Sequence, residues 1–116
     1  MNLPDITDDN YEGIEQLAVD IAHELVRFDT QNPPGNDKAI TAFIAEKLRN
    51  MGLNVNTHKV NKHVYALRAC HGNSDHIGLI FSGHLDVVPV SSGWTHDPFN
   101  PSIIAVSYTH LRAHET

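Results

Sequence analysis

The chain has few of the features that hold secreted or membrane proteins together. It has one cysteine, Cys70, among 116 residues, so an internal disulfide is excluded and a reducing compartment is favoured. No apolar run approaches the roughly 20 residues that a membrane helix needs. The first ten residues, MNLPDITDDN, lack the basic and apolar segments of a secretory signal. We therefore expect a cytoplasmic protein without a membrane partner.

Positive charge is also scarce. Lys and Arg total 8 against 14 Asp and Glu, and the formal net charge is -6. A nucleic-acid-binding domain normally carries a basic patch, so nucleic acid is excluded as an expected partner. The length is enough for one small domain with its own core.

Two amphipathic helices are predicted in the first half. The first follows the cap candidates at 8–10 and ends near Phe28. The second begins after Asn36 or Asp37 and ends before Gly52, which stands where a left-handed C-cap is expected. Thr30–Asn36, with its two prolines, is predicted to be a loop. The apolar stripe of the first helix contains Ile14, Leu17, Ala18, Ile21, Ala22 and Leu25, and that of the second contains Ile40, Phe43, Ile44, Leu48 and Met51.

The helices are followed by segments with strand character. Leu53–Val60 and His63–Ala69 alternate around Asn61-Lys62, which predicts a hairpin with a two-residue turn. The apolar run Ile77–Phe81 predicts a buried central strand. Two helices, a strand hairpin and a central strand together predict an incomplete α/β domain.

The predicted central strand leads directly to His84 and Asp86. Open α/β sheets bind ligands beyond the carboxyl ends of their strands. Residues i and i+2 of extended backbone project to the same side, so the imidazole and the carboxylate are expected to face one site.

The stretch from Ser82 onward also matches a known pattern. SGHLDVVPV at 82–90 and GWTHDPF at 93–99 resemble the zinc exopeptidase and deacylase family that contains acetylornithine deacetylase, succinyl-diaminopimelate desuccinylase, aminoacylase and the glutamate carboxypeptidases. ELVRFDTQNPPGN at 24–36 is similar to the first helix of that family and the loop that follows it, and IAEKLRNMGLNV at 44–55 is similar to its second helix and first strand. The resemblance covers about residues 12–102.

The resemblance implies an α/β zinc-peptidase domain with an inserted lid or dimerisation domain. It implies two divalent metal ions, zinc or sometimes cobalt, with His84 as a metal ligand and Asp86 as the catalytic carboxylate that holds the histidine in place. Neutral imidazole is a preferred zinc ligand, and a carboxylate partner fixes its ring. The implied reaction is hydrolysis of an amide bond in a small-molecule N-acyl amino acid or peptide, by a full-length parent that resembles homodimeric enzymes.

Other polar residues near this stretch are predicted to have structural or surface roles. The family pattern places His96 and Asp97 in a loop beyond the site, where Trp94 and Phe99 are expected to pack. Histidines also cluster around the hairpin without a common metal-ligand spacing, so we interpret them as surface residues. They are His58, His63, His71 and His76.

The end of the chain departs from the family pattern. VSYTHLRAHET at 106–116 resembles the translation of a sequencing adaptor used in transposase-based library preparation, so we predict that this tail is not native. Residues 1–105 are then the N-terminal portion of a truncated catalytic domain. A catalytic zinc normally takes three protein ligands, so the fragment alone is expected to be inactive. The alternative is a non-catalytic interaction or scaffold domain that keeps the fold.

Overall fold

The computed structural model describes residues 11–72, 75–104 and 107–109. Two helices, a hairpin and a separate strand follow one another along the chain, so the predicted incomplete α/β class is confirmed. The elements are α1 (Tyr11–Val26), α2 (Lys38–Asn50), β1 (Asn54–Lys59), β2 (Tyr65–Cys70), β3 (Ser102–Ile104) and β4 (Ser107–Thr109). Neither helix in the described part of the chain is long and apolar enough to cross a bilayer.

Helix α1 contacts α2 near its C-terminal end. The rings of Phe28 and Phe43 pack with centroids 5.4 Å apart and planes tilted by 50°. Lys47 lies over the ring of Phe43 at 5.5 Å and 4.0 Å from the carboxylate of Glu24. No residue of this fully described helix is buried, so α2 covers only part of its apolar stripe.

Helix α2 forms the centre of the folded part. Its inner face buries Ile40, Thr41 and Ala45. The helix ends before Gly52, as predicted, and the φ of Gly52 is +91°, the left-handed conformation. The amide of Gly52 donates to the Arg49 carbonyl (2.9 Å), and this hydrogen bond closes the C-terminal end of the helix.

The hairpin β1–β2 is antiparallel, with register running from Asn54 opposite Cys70 to Lys59 opposite Tyr65. Five residues, 60–64, connect the two strands, so the connection is longer than the predicted two-residue turn. The side-chain oxygen of Asn61 accepts hydrogen bonds from the amides of His63 (2.8 Å) and Val64 (2.9 Å), and these bonds stabilise the longer connection. Val55 is the one buried residue of β1, so this strand is less covered than its alternation predicts.

The prediction that residues 77–81 form the central strand is wrong. This segment has no regular structure, and the side chains of Leu79 and Phe81 are 74% and 90% exposed. A strand of this composition needs neighbouring strands at its edges and helices on its faces. No described strand lies beside it, so its backbone is unpaired and its side chains are uncovered.

The separate strand after the hairpin is β3, which pairs antiparallel with β4. The three residues of β4 are the described part of the 106–116 segment; the remaining residues, including His110 and His114, lie outside the described residues. The non-native origin of this tail stays a prediction.

Candidate functional site

The structure brings His84 and Asp86 into direct contact. Nδ1 of His84 lies 2.8 Å from the backbone oxygen of Asp86 and 3.1 Å from its Oδ1 atom. Both side chains remain accessible, with 66% and 39% exposure. The expected same-side arrangement is therefore present, although irregular backbone and not a strand end provides it.

This contact defines the hydrogen-bonding state of the imidazole. Both neighbours of His84 Nδ1 are acceptors, so in the neutral ring Nδ1 carries the hydrogen and Nε2 keeps its lone pair. A ring held in this tautomer is suited to binding a metal ion through Nε2. The geometry fits His84 as a metal ligand and Asp86 as the residue that orients it.

The loop after α1 holds the segment 84–90, which carries these two residues and is called the site segment below. Gln31 and Val87 form an isolated parallel bridge. The amide of Asn32 donates to the Val87 carbonyl (2.8 Å), and the amide of Val87 donates to the Thr30 carbonyl (3.2 Å). The site is thus built from two segments that are distant in sequence.

The side chains of this loop reinforce the backbone contacts. The hydroxyl of Thr30, a residue only 3% exposed, donates to the Leu85 carbonyl (2.8 Å). The Gln31 side-chain oxygen accepts from the amide of Val90 (2.8 Å). Three consecutive loop residues therefore bind the site segment, and the third is Asn32.

Asn32 contacts the candidate site directly. Its Nδ2 donates to Oδ2 of Asp86 at 3.0 Å. The pKa of the Asp86 carboxyl is below its ordinary value, and this hydrogen bond is the largest cause. Partial burial raises the pKa, whereas the nearby His84 lowers it further. The sequence pattern predicts a loop at Asn32 but does not predict its contact with Asp86. The signal was a run of polar side chains, Thr-Gln-Asn, before two prolines.

An apolar cleft of about 170 Å³ lies beside the histidine. Residues from the end of α1, from α2 and from the segment of His84 line it, and the His84 side chain is still 66% exposed. Its lining consists of Leu25, Val26, Phe28, Thr30, Ile40, Ile44, His84, Leu85 and Val87.

The other polar candidates do not join this site. Within 11–72, 75–104 and 107–109, no group of three or more His, Cys, Asp or Glu residues could hold a metal ion. Asp97 closes a local turn, because its side chain accepts from the amide of Phe99 (2.9 Å) and its carbonyl from that of Asn100 (3.2 Å). The described residues therefore do not form a complete metal site.

The fold and the paired histidine and carboxylate define a partial α/β domain with one candidate metal ligand. The chain is 36% identical over 91 residues to the succinyl-diaminopimelate desuccinylase of Pelagibacter ubique, a match that covers 73% of this chain and 23% of that protein. It is 31% identical over 101 residues to aminoacylase-1 of Sus scrofa, covering 84% and 25%. It is 30% identical over 96 residues to the N-formyl-4-amino-5-aminomethyl-2-methylpyrimidine deformylase of Bacillus subtilis, covering 78% and 22%.

The predicted resemblance to the family of succinyl-diaminopimelate desuccinylase and aminoacylase is therefore confirmed over 73–84% of this chain. The matches to these three relatives span only 22–25% of their lengths. No family model and no solved structure matches the chain.

Proposed function

We propose that the chain is part of a metal-dependent hydrolase that cleaves the amide bond of N-acyl amino acids or small peptides. The observation that carries the proposal is the contact between His84 and Asp86, with the imidazole exposed and its Nδ1 atom engaged. The names of the relatives, which describe the removal of succinyl, acyl or formyl groups, support an acylated small molecule as substrate.

In this proposal each residue has a separate task. His84 holds a divalent ion, zinc or cobalt, through Nε2, and Asp86 keeps the ring in the tautomer that leaves Nε2 free. When bound, such an ion lowers the pKa of a coordinated water and polarises a carbonyl group.

We further propose that the native residues of this chain run only to about residue 105. The full-length protein would continue from there with a different sequence. The limited span of the matches along the relatives supports this view. The remaining metal ligands and the general base would lie in that continuation. The 116-residue chain alone is then expected to be inactive, because a catalytic zinc normally takes three protein ligands.

The test begins with the gene sequence across residue 105 and the full-length protein that it encodes. Hydrolysis of N-succinyl, N-acetyl and N-formyl amino acids is measured after chelation and after zinc or cobalt is added back. We expect metal-dependent hydrolysis of at least one of these classes. His84→Ala is expected to abolish it, whereas His58→Ala, at an exposed position of β1, leaves it unchanged.

Two results would contradict the proposed hydrolase function, and a third would contradict the expected inactivity of the 116-residue chain. Hydrolysis that survives both chelation and His84→Ala would exclude His84 as a ligand of a required metal. A folded full-length protein without activity on any class would favour the scaffold alternative. Chelator-sensitive hydrolysis by the purified 116-residue chain would show that its expected inactivity is wrong.

A further inference from the structure

We infer that Asn32 is a positioning residue, whose amide fixes the Asp86 carboxylate so that this carboxylate holds the His84 ring. The functional meaning of this inference rests on the proposed hydrolase function, whereas its geometry does not. Asn32 lies 54 positions before Asp86, in the loop that follows α1.

The first argument is that Asn32 binds two adjacent residues at once. Its backbone amide donates to the Val87 carbonyl at 2.8 Å, and its side-chain amide donates to Oδ2 of Asp86 at 3.0 Å. The backbone bond fixes where the asparagine sits relative to the site segment. The side-chain bond can then fix the carboxylate relative to that same backbone.

The second argument is that the two carboxylate oxygens of Asp86 have different partners. Oδ2 of Asp86 takes the Asn32 amide, and Oδ1 lies 3.1 Å from Nδ1 of His84. The terminal torsion of an aspartate is broad, so an exposed carboxylate without a second partner rotates readily. A donor on one oxygen restricts this rotation and keeps the other oxygen at the imidazole.

The third argument is the chemical type of the donor. A lysine or arginine at this position would add positive charge beside a site proposed for a cation, and an aspartate would repel Asp86. The neutral amide donates a hydrogen bond without either effect. Asparagine therefore suits a carboxylate that must stay negative and turned toward His84.

The experiment reads the tautomer of His84 in the metal-free 116-residue chain. Long-range proton–nitrogen NMR spectra of ¹⁵N-labelled protein, recorded where imidazoles are neutral, report which ring nitrogen carries the hydrogen. His84→Gln identifies the His84 signals among those of the 9 histidines. The wild-type ring is expected to be mainly in the Nδ1–H form.

Two variants and one control test the role of Asn32. Asn32→Ala removes the side chain, and Asn32→Asp keeps its size but replaces the donor by an acceptor. In both, the ratio of the Nδ1–H to the Nε2–H form of His84 is expected to fall at least twofold. Asn36→Ala, the same change at an exposed position of the same loop, is expected to leave the ratio unchanged.

The amide signals of β1 and β2 show whether each variant folds. An unchanged His84 ratio in a folded Asn32→Ala or Asn32→Asp variant would overturn the inference, because the Asp86 backbone oxygen would then suffice. If Asn32→Ala does not fold, Asn32→Asp decides. If neither folds, Asn32 is a structural residue and the inference is wrong.

The tautomer is measured without metal or substrate, so the two proposals fail separately. A twofold loss of the Nδ1–H form together with an inactive full-length protein would refute the hydrolase function alone. Metal-dependent hydrolysis with an unchanged tautomer ratio would refute the role of Asn32 alone.

Discussion

At the scale of single residues, the candidate site depends on side chains that come from a loop. Asp86 is held from one side by Asn32 and contacts His84 on the other. Thr30 binds the carbonyl of the intervening Leu85. The loop therefore lowers the pKa of the Asp86 carboxyl and holds the backbone that carries it.

Asn32→Ala is expected to raise the pKa of the Asp86 carboxyl toward its ordinary value, because the hydrogen bond that most favours the ionised form is lost. Carboxyl carbon NMR shifts followed against pH measure this change. Asn36→Ala, at an exposed loop position, serves as control. A pKa that stays as low as in the wild type would show that the amide does not stabilise the ionised carboxylate.

Because the pKa of the Asp86 carboxyl is lowered in the folded protein, this carboxylate stabilises the fold less as the pH falls. Its contribution is fully present above the pKa of an unfolded aspartate, about 3.9, and is lost as pH falls through the lower native pKa. Wild type should therefore exceed Asn32→Ala in unfolding free energy at pH 6, and the difference should shrink toward pH 2. Urea unfolding at the two pH values measures this, and a difference that grows on acidification would contradict it.

Thr30→Val is expected to destabilise the protein by about 1 kcal/mol, because the buried hydroxyl is lost and the Leu85 carbonyl loses a donor. Thr57→Val makes the same change at an exposed position of β1 and is expected to stay within about 0.5 kcal/mol of wild type. Urea midpoints of the two variants give the comparison. Equal midpoints would show that the Thr30 hydroxyl contributes nothing to stability.

At the scale of elements, the end of α2 offers a test of backbone conformation. A Cβ atom at Gly52 would meet no other atom within 4 Å, yet the φ of this residue is +91°. Gly52→Ala is thus expected to destabilise the protein by about 1–2 kcal/mol through backbone conformation alone.

Gly13→Ala is the matched change inside α1, where the added methyl group also meets nothing within 4 Å. It is expected to stabilise the protein by up to about 1 kcal/mol, because alanine favours a helix more than glycine does. Thermal unfolding followed by circular dichroism measures both variants. A shift of both melting temperatures in one direction would contradict this assignment.

The elements that the sequence predicts correctly are those with local signals. The stripe from Ile14 to Leu25, the cap at Gly52 and the alternation around Asn61 each depend on neighbours within a few residues. The strand at 77–81 is a non-local feature, because a central strand exists only where other strands pair with it. For the same reason, the partnership of Asn32 with Asp86 could not be predicted from spacing, since it depends on how the loop meets the site segment.

At the scale of the whole molecule, much surface is uncovered. The accessible area is 8780 Å², whereas a folded monomer of this mass exposes about 6,300 Å². The apolar segment 77–81 is one source of the excess, with Ile77, Leu79, Ile80 and Phe81 each more than 60% exposed. Neighbouring apolar side chains of this kind, on backbone without a described strand partner, favour contact with other molecules.

The 116-residue chain is therefore expected to self-associate as its concentration rises, and segment 77–81 should drive that association. Introducing Leu79→Lys and Phe81→Lys together should shift the distribution toward monomer, because two charges then interrupt the apolar surface. Sedimentation velocity over a hundredfold concentration range measures the shift. Val60→Lys adds a charge at a residue that is 63% exposed but lies elsewhere, so it should have a smaller effect. If Val60→Lys disperses the chain as well as the double variant does, net charge and not segment 77–81 controls association.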